Sequence, residues 1–323
     1  MKIVISEYLH QAAVALLEER SQRIEAVVRY RPELYHQFDA LTSELKDADA
    51  LIVRNQTRVD DALLSRAPEL RVVGRVGVGL DNLDLTALRA RGVTTTWAPG
   101  TNAVSVAEYV MGAMLEHFRR FATASARLHR GEWNRQAAIG VEAYGKTLGI
   151  VGLGDIGSRL AKRARAFGMR VLASDPLVHH SSFAVQEYEV ELTSLTDLLG
   201  RADVVSLHVP LVPSTHHLIG AGTLQHFKSG ALLINTARGG LIDETALAAA
   251  LQNGTLAAAT LDVREHEPPG EQDPLRGLTN VTLTPHVAGL TEEASRRSSL
   301  HVAEDVLLVL SGQRPLSEVP SGA

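Results

Sequence analysis

A glycine-rich segment, GLGDIG, has the residue types and spacing that bind the pyrophosphate of a dinucleotide. Gly152, Gly154 and Gly157 follow a β-branched run and precede a stretch with helical periodicity. The first glycine permits a tight turn, the second lets the backbone approach a phosphate, and the third allows a helix to pack closely on a strand. Asp175 ends the next strand-like run, where a carboxylate can accept hydrogen bonds from a ribose diol and repels a 2′-phosphate. The segment therefore predicts a site for NAD rather than NADP.

Three later strand-like runs are followed by side chains that could perform acid–base chemistry. Arg238 follows LLINTA, Glu265 and Glu267 follow ATLDV, and His286 follows VTLTP. In open parallel sheets ligands bind outside the carboxyl ends of the strands, so we expect these side chains at one edge. Arginine can bind a carboxylate with two parallel hydrogen bonds, and a histidine beside a carboxylate can transfer a proton. Each residue alone is more commonly structural, but together with a nicotinamide they predict interconversion of 2-hydroxy and 2-oxo acids.

The composition excludes several other classes of protein. The chain has 323 residues, no cysteine and a net charge of −5. A thiolate nucleophile, a disulfide scaffold and a cysteine zinc site are therefore impossible, and the negative charge argues against binding of nucleic acid. The apolar runs are shorter than the ~18 residues of a membrane span, and the N-terminus lacks the apolar core of a signal peptide. We expect a cytoplasmic protein of two domains with no membrane partner.

Strand-like and helix-like segments alternate in two series, which predicts two α/β domains with mostly parallel sheets. Residues 101–130, between the two series, predict one long helix. The strand-like segments are KIVIS, RIEAVV, ALIVR, RVVGRV and VTTTWA in the first series, and TLGIVG, RVLASD, VQEYEV, DVVSLHV, ALLINTA, AATLDV and NVTLTP in the second.

Five segments, in this order, resemble the D-isomer-specific 2-hydroxyacid dehydrogenase family: GLGDIG…ASDP, HVPLVPSTHHLI, NTARGGLIDETALAAAL, LDVREHEP and TPHVAG. The resemblance implies that Arg238 binds the substrate carboxylate and carbonyl, and that His286 is the acid–base residue with Glu267 as its partner. In the family pattern the catalytic acid directly precedes proline, which favours Glu267 and leaves Glu265 expected at the surface. The family's NAD contacts correspond to Gly152, Gly154, Asp155, Ile156, Gly157, Asp175, Val209, Pro210, Thr236, Ala237, Asp262 and Gly289.

The resemblance also implies the domain organisation. Two doubly wound α/β domains are expected: a Rossmann NAD-binding domain at residues 99–289, inserted into a flavodoxin-like substrate domain split between residues 1–98 and 290–323. In this family the active site lies in the cleft between the domains. The predicted long helix and the segment FRRFATASARLHRGEWNR resemble dimerisation elements, so we expect a homodimer in which Trp133 is an interface or packing anchor.

The N-terminal segments resemble the phosphoglycerate dehydrogenase branch of the family. Basic residues matching Arg54, Arg75 and Arg135 suit a substrate with a second anionic group. Backbone N–H groups of the glycine loop at Val78 and Gly79 suit a carboxylate. For Arg75 and Arg135, salt bridges or a role in the dimer interface are equally good interpretations.

Three departures from that branch leave the substrate open. Asn55 stands where the branch commonly has serine, Val78 where it has threonine, and PHVAGLT where it has a sequence close to PHLGAST. Sulfolactate, hydroxypyruvate and glyoxylate therefore remain alternatives to phosphoglycerate. Since the sequence ends at Ala323, we expect a short form without the regulatory domain of longer relatives. The alternative that is not an enzyme is an NAD-sensing binding protein similar to the family's corepressors.

Overall fold

Two parallel β-sheets organise the computed structural model, which describes residues 1–320. The chain divides into two compact units: the first comprises Met1–Asn102 and the chain from Leu290 onward, and the second comprises Ala103–Gly289. The first unit is discontinuous in sequence because the last helix packs on its sheet.

The sheet of the first unit has five parallel strands: β1 Lys2–Ile5, β2 Val27–Tyr30, β3 Ala50–Val53, β4 Val72–Arg75 and β5 Thr94–Trp97. Their order in the sheet is β2-β1-β3-β4-β5. The direction of winding reverses between β1 and β3, and ligands of doubly wound sheets bind outside the carboxyl ends of the strands at such a point.

The sheet of the second unit has seven parallel strands: β6 Thr147–Val151, β7 Arg170–Ser174, β8 Val190–Leu192, β9 Val204–Leu207, β10 Leu232–Asn235, β11 Ala258–Leu261 and β12 Val281–Leu283. Their order is β12-β11-β10-β9-β6-β7-β8. This is the Rossmann order, and its reversal lies between β6 and β9. The α/β fold class expected from the sequence is confirmed.

Helices cover both sheets, and several begin at residues whose side chains accept a hydrogen bond from the first turn. Asp60, Asp84, Ser194, Asp243 and Thr291 each bond the backbone N–H three residues further on. The α-helices are α1 Gln11–Ser21, α2 Phe38–Leu45, α3 Asp61–Leu64, α4 Leu85–Ala90, α5 Ala103–Arg119, α6 Phe121–His129, α7 Asp155–Ala166, α8 Phe183–Glu187, α9 Leu195–Arg201, α10 Ala221–Leu224, α11 Glu244–Gln252 and α12 Glu292–Leu310. Short 3₁₀ turns lie at Gln22–Ile24, Leu34–His36, Gln136–Ala138 and Gly239–Leu241. Among residues 1–320, no helix combines the length and apolar character that crossing a membrane requires.

Two expectations from periodicity were wrong. The predicted long helix is two helices, α5 and α6, separated by Arg120 in the left-handed conformation with φ of 54°. The Glu116 carboxylate stabilises this break, since it accepts the N–H groups of Phe121 and Ala122 that begin α6. The segment VQEYEV was expected to be a strand, but its first three residues form the end of α8, and β8 starts only at Val190.

The last helix, α12, packs closely on the first sheet at Gly74 of β4. A Cβ added there would lie 2.6 Å from Val302 Cγ1 and 2.8 Å from Val306 Cγ2. Both valines are fully buried, so β4 and α12 can approach this closely only because residue 74 has no side chain.

We therefore expect Gly74→Ala to destabilise the first unit, because the new methyl group must displace α12 from β4. Overpacking of this kind costs about 1–3 kcal/mol. Gly112→Ala in α5 is the matched control, since a Cβ there meets no heavy atom within 4 Å, and alanine is favoured over glycine in helices by roughly 0.5–1 kcal/mol. Thermal unfolding followed by circular dichroism should give a lower midpoint for the first variant only; equal midpoints would contradict this packing.

Candidate active site

The glycine turn joins β6 to α7 and leaves open space over one of its three glycines. Gly152 has a φ of 95°, and a Cβ added there would lie 2.8 Å from the carbonyl of His208. A Cβ on Gly157 would collide with the carbonyl of Gly152. At Gly154, which precedes α7, an added Cβ would meet nothing within 4 Å. The outer two glycines thus serve packing, and the middle one exposes backbone to which a phosphate can come close.

The first turn of α7 and Asp175 complete this end of the site. The N–H groups of Asp155 and Ile156 are in the first helical turn, where they have no partner within the helix. The side chain of Asp155 points to Arg159, at 3.0 Å, so the backbone rather than the carboxylate is available to an anion. The Asp175 carboxylate accepts the N–H of Leu153 at 2.8 Å, which places it beside the glycine turn.

Two buried polar atoms after β9 and β10 lack partners within residues 1–320. They are Nδ1 of His208 and Oγ1 of Thr236. The other ring nitrogen of His208 bonds Ser206 Oγ at 2.9 Å, and burial lowers the pKa of His208 to about 4, so its imidazole is neutral. Val209 covers Gly152, with Cγ1 2.9 Å from the position of an added Cβ. Unpaired buried donors and acceptors beside a turn with open backbone fit a dinucleotide.

Arg238 is presented by a tight loop that the buried Asn235 side chain organises. Asn235 Nδ2 donates to the carbonyl of Arg238 at 2.8 Å, and its Oδ1 accepts the N–H of Ala237 at 3.0 Å. The half-buried Arg238 donates from Nη1 to the carbonyl of Ala237 at 2.7 Å. The guanidinium is therefore held at the carboxyl end of β10.

His286 and Glu267, predicted as a pair, are in direct contact. The imidazole Nδ1 lies 2.8 Å from Glu267 Oε2, and Glu267 Oε1 accepts the N–H of Arg264 at 2.9 Å. His286 has a φ of 56°, a left-handed conformation that is uncommon outside glycine and concentrates at functional sites. No group within residues 1–320 bonds its Nε2, and the side chain is 44% exposed. With Nδ1 donating to the carboxylate, Nε2 is the nitrogen that can exchange a proton with a ligand.

Asp262 shapes the turn that carries His286. Its carboxylate accepts the backbone N–H groups of Val287 and Ala288, both at 2.8 Å, and the Thr284 hydroxyl at 2.6 Å. Its carbonyl accepts the N–H of His286 at 2.8 Å. We expected Asp262 as a cofactor contact; as a buried residue with three donors on its carboxylate, it also has this structural task. Two further residues were expected to contact NAD. Pro210 is exposed, and Gly289 is the last residue of the second unit.

Tyr109 helps to hold the segment that carries His286, and this role was not predicted from the sequence. Since Thr284 donates its single hydroxyl proton to Asp262, the Tyr109 hydroxyl must donate to Thr284 Oγ1, at 2.6 Å. Burial raises the pKa of Tyr109, which keeps this donor protonated. Helix α5 is thereby tied to the segment that carries His286.

A buried ion-pair network was also not predicted from the sequence. Arg264, 8% exposed, bonds both carboxylate oxygens of Glu244 at 2.9 and 2.8 Å and both of Asp273 at 2.9 and 2.6 Å. The guanidinium holds the pKa of Asp273 below its ordinary value. A Cβ on Gly239, next to Arg238, would collide with the carbonyl of Arg264. The network therefore anchors the loop of Glu267 against the loop of Arg238.

A second histidine–glutamate pair includes Glu265, which was expected at the surface and is instead half-buried against His217. His217 Nε2 lies 2.7 Å from Glu265 Oε1, and both side chains are half-buried. The rings of His216 and His217 are stacked, with centroids 3.9 Å apart and planes at 27°. The ligand atoms of the three residues lie within 4.8 Å of one another, but lone pairs of nearly parallel rings do not converge on one metal ion.

In the first unit, Arg54 follows β3 on a segment held by the buried carboxylate of Glu7. Glu7 accepts the N–H groups of Arg54 at 2.8 Å, Gln56 at 3.1 Å and Thr57 at 2.9 Å. The guanidinium carbon of Arg54 lies 5.7 Å from the centre of the Tyr8 ring. Arg54 is thus presented at the carboxyl edge of the first sheet, beside its point of reversal.

The other expected substrate residues are placed differently. Arg75, 9% exposed, ends β4 and donates to the carbonyl of Val76 at 2.6 Å, so it supports the glycine loop from inside. Val78 and Gly79 are half-buried in that loop, at the same edge as Arg54. Arg135 is exposed and belongs to the second unit. The structure therefore brings Arg54, Val78 and Gly79 to one sheet edge, but not Arg135.

Comparisons with known proteins agree with this architecture. Residues 111–288 match the family described as D-isomer specific 2-hydroxyacid dehydrogenase, NAD binding domain. The chain is 43% identical over 314 residues to the D-3-phosphoglycerate dehydrogenase of Methanocaldococcus jannaschii, covering 97% of this chain and 58% of that protein. It is 45% identical over 304 residues to the (S)-sulfolactate dehydrogenase of Chromohalobacter salexigens, covering 94% of this chain and 96% of that protein. The crystal structure of the TT0316 protein from Thermus thermophilus superposes with a TM-score of 0.90 at 35% identity, covering 99% of this chain and 100% of that one.

We expect Arg264→Lys to loosen the loop of Glu267, because an ammonium group cannot donate to two carboxylates in the fork that a guanidinium provides. Loss of a hydrogen bond to a charged group costs about 1.5–3 kcal/mol, so hydrogen–deuterium exchange of peptides covering residues 262–268 should accelerate about tenfold or more. Arg276→Lys is the control, since that side chain hydrogen-bonds the Gly270 carbonyl at 3.4 Å and neither Glu244 nor Asp273. Equal protection of the loop in both variants would contradict the anchoring role.

Proposed function

Because the chain belongs to the D-isomer specific 2-hydroxyacid dehydrogenase family, we propose that it is an NAD-dependent oxidoreductase that interconverts a small 2-hydroxy acid and its 2-oxo acid. The observation that carries this proposal is the His286–Glu267 pair, 2.8 Å apart, at the sheet edge that also presents Arg238. β10, β11 and β12 are neighbours in the sheet, so the three loops that follow them share one edge.

The residues of the NAD site have distinct tasks in this proposal. The glycine turn and the first turn of α7 hold the pyrophosphate, and Asp175 accepts hydrogen bonds from the adenosine ribose. The unpaired Thr236 hydroxyl, followed by Ala237, contacts the cofactor after β10. When bound, NADH supplies the hydride that reduces C2 of the oxo acid, and NAD⁺ accepts it in the reverse direction.

The protein side chains bind the oxo acid and deliver its proton. Arg238 holds the carboxylate through its guanidinium fork and polarises the C2 carbonyl. As the carbonyl oxygen gains negative charge, His286 donates the Nε2 proton to it and becomes neutral. Glu267 keeps Nδ1 protonated and the ring oriented, since its carboxylate accepts that N–H. In the oxidative direction the neutral imidazole removes the hydroxyl proton.

The finer proposal is a three-carbon substrate with a second anionic group, as in 3-phosphoglycerate. Two features support it: Arg54 at the edge of the first sheet, and the relatives named for phosphoglycerate and sulfolactate, which both fit that description. Sulfolactate is favoured as the alternative, because this chain covers 96% of the length of the (S)-sulfolactate dehydrogenase named above. Reduction of hydroxypyruvate or glyoxylate is the simpler alternative, and it would leave Arg54 with no distal anion to bind.

A homodimer and a cytoplasmic location stay predictions from the sequence. The first is supported by three exposed apolar side chains of α6 and the segment after it: Phe121 at 58%, Leu128 at 55% and Trp133 at 80%. Apolar surface of this kind is typical of contacts between subunits.

Oxidation of NADH or NADPH by a panel of 2-oxo acids tests the activity. The panel comprises hydroxypyruvate, its 3-phospho form, sulfopyruvate, glyoxylate and pyruvate. We expect turnover with NADH, weaker turnover with NADPH because Asp175 repels a 2′-phosphate, and a loss of about 10²–10⁴-fold in His286→Ala. Binding of NADH without turnover of any acid would overturn the proposal and favour a dinucleotide-binding protein without activity.

The pairing of Glu267 with His286 predicts a loss of turnover when the pair is weakened. In Glu267→Gln the hydrogen bond from Nδ1 no longer has a charged acceptor, so the imidazole is held less firmly and kcat for reduction should fall about tenfold or more. Steady-state kcat for the preferred oxo acid measures this loss. Glu265→Gln, at the neighbouring pair with His217, is the matched control and should keep the wild-type kcat. An unchanged kcat in Glu267→Gln would contradict the assignment.

A further inference from the structure

Two histidines in the left-handed conformation are each paired with a glutamate of the loop that follows β11. His286 bonds Glu267 at 2.8 Å and has a φ of 56°. His217 bonds Glu265 at 2.7 Å and has a φ of 49°. Left-handed backbone is uncommon outside glycine and is kept only where the surroundings determine it. The first pair is proposed to transfer the proton, whereas the second pair connects a different set of loops.

His217 joins the loops that follow β9, β10 and β11. It is the last residue of the segment 209–217 after β9, which we call the β9 segment. Its backbone N–H donates to the carbonyl of Gly240, in the loop after β10, at 2.8 Å. Its imidazole Nε2 bonds Glu265, whose own N–H donates to the buried carboxylate of Glu244 at 2.9 Å. The side chains of His217 and Glu265 are 35% and 29% exposed, so water screens their contact only in part.

The β9 segment is held together by its own hydrogen bonds. Thr215 Oγ1 donates to the carbonyl of Pro210 at 2.7 Å and accepts the N–H of Val212 at 2.9 Å. Leu211 packs on the loop after β10, since a Cβ added to Gly240 would lie 3.0 Å from Leu211 Cδ2. Because these contacts stiffen the segment, a restraint on its last residue also limits the motion of its first residue.

Val209, the first residue of the β9 segment, covers the glycine turn. Its Cγ1 lies 2.9 Å from the position of a Cβ added to Gly152. His208, directly before it, has the buried Nδ1 that lacks a partner within residues 1–320. All of these residues belong to the second unit, Ala103–Gly289, as does Glu265. The β9 segment therefore extends from the proposed pyrophosphate site to the loop that follows β11.

We propose that His217 and Glu265 form a clamp that positions the β9 segment for the dinucleotide. The inference rests on the proposed function, because it concerns the NAD site of that enzyme. The clamp holds Val209 beside the glycine turn before the dinucleotide arrives, so binding does not have to order the segment. Without the clamp only a fraction of the molecules would have the segment in place, and the apparent Kd would rise in inverse proportion to that fraction. His217 and Glu265 are positioning residues, since neither transfers the hydride or the proton.

Isothermal titration calorimetry with NADH, in the absence of any oxo acid, tests the clamp. His217→Asn should raise the Kd about tenfold, because one hydrogen bond to a charged group is lost. Asparagine tolerates left-handed backbone, but its side chain ends one bond nearer to the backbone than Nε2 and does not reach Glu265. Glu265→Ala should give the same increase, whereas Glu265→Gln keeps an acceptor for Nε2 and should give a smaller one. His226→Asn, at an exposed histidine between β9 and β10, is the matched control and should bind NADH as the wild type does.

A double variant, His217→Asn with Glu265→Ala, tests the contact itself. If the two side chains act through one bond, the double variant should bind NADH no more weakly than either single variant. Additive losses, about a hundredfold together, would contradict the pairing. Hydrogen–deuterium exchange of peptides covering residues 209–217, measured without cofactor, should accelerate in both single variants but not in His226→Asn.

Steady-state kinetics separate the clamp from the acid–base chemistry. In His217→Asn and Glu265→Ala, KM for NADH should rise about tenfold, while kcat at saturating NADH stays within about twofold, because His286 and Glu267 keep their contact. Glu267→Gln should show the reverse, with a lower kcat and an unchanged Kd for NADH. If His217→Asn does not fold, Glu265→Ala and Glu265→Gln still test the clamp from its other side.

The outcomes separate this inference from the proposed function. An unchanged Kd for NADH in His217→Asn and Glu265→Ala, or a loss of kcat with no change in Kd, would overturn the clamp and leave the dehydrogenase proposal intact. Binding of NADH without turnover of any acid would overturn the dehydrogenase proposal, and the Kd values would still decide on the clamp. A wild type that does not bind NADH would overturn both.

Discussion

The buried carboxylate of Asp262 is the constraint on which the proposed acid–base chemistry depends. It accepts two backbone N–H groups and the Thr284 hydroxyl, while its carbonyl accepts the N–H of His286. A left-handed conformation costs a residue other than glycine about 1–3 kcal/mol and persists only where its surroundings determine it. These bonds supply that determination at His286, whose φ is 56°. The imidazole is thereby directed to Glu267 on one side and left open on the other.

The same arrangement recurs at other strand ends. Glu7 accepts three N–H groups of the segment that carries Arg54, and Asp175 accepts the N–H of Leu153 in the glycine turn. Loops that leave a sheet have backbone donors without ladder partners, and buried donors must be satisfied. Where a carboxylate from a neighbouring loop satisfies them, the loop is rigid and its own side chain remains available for a ligand. Function and loop stability therefore rest on different residues at each of these positions.

A buried network of ion pairs supports the loop that carries Glu267. Arg264 is buried between Glu244 and Asp273, and its N–H bonds the Glu267 carboxylate. A buried ion pair of this kind adds little net stability, yet breaking it is costly because a charge is left uncompensated. Its effect here is geometric: it holds the loop packed against Gly239, beside Arg238. The loop of Arg238, which is proposed to hold the substrate, and the loop of Glu267, which orients the proton donor, are thus connected through their packed backbones.

Much of this molecule could be predicted from local sequence. The glycine spacing, the alternation of strands and helices, and the order of Arg238, Glu267 and His286 are local patterns, and they indicate the fold class and the NAD site because each element's propensity agrees with its neighbours. The long helix was predicted wrongly because the Glu116 carboxylate competes for the N–H groups after Arg120, a contact that periodicity does not record. Arg264 lies 20 residues from Glu244 and 9 from Asp273, and Tyr109 lies 175 from Thr284. The order of residues along the chain is enough to identify the chemistry, whereas the way that chemistry is held follows from packing, because partners so far apart in sequence meet only when the strands and helices have come together.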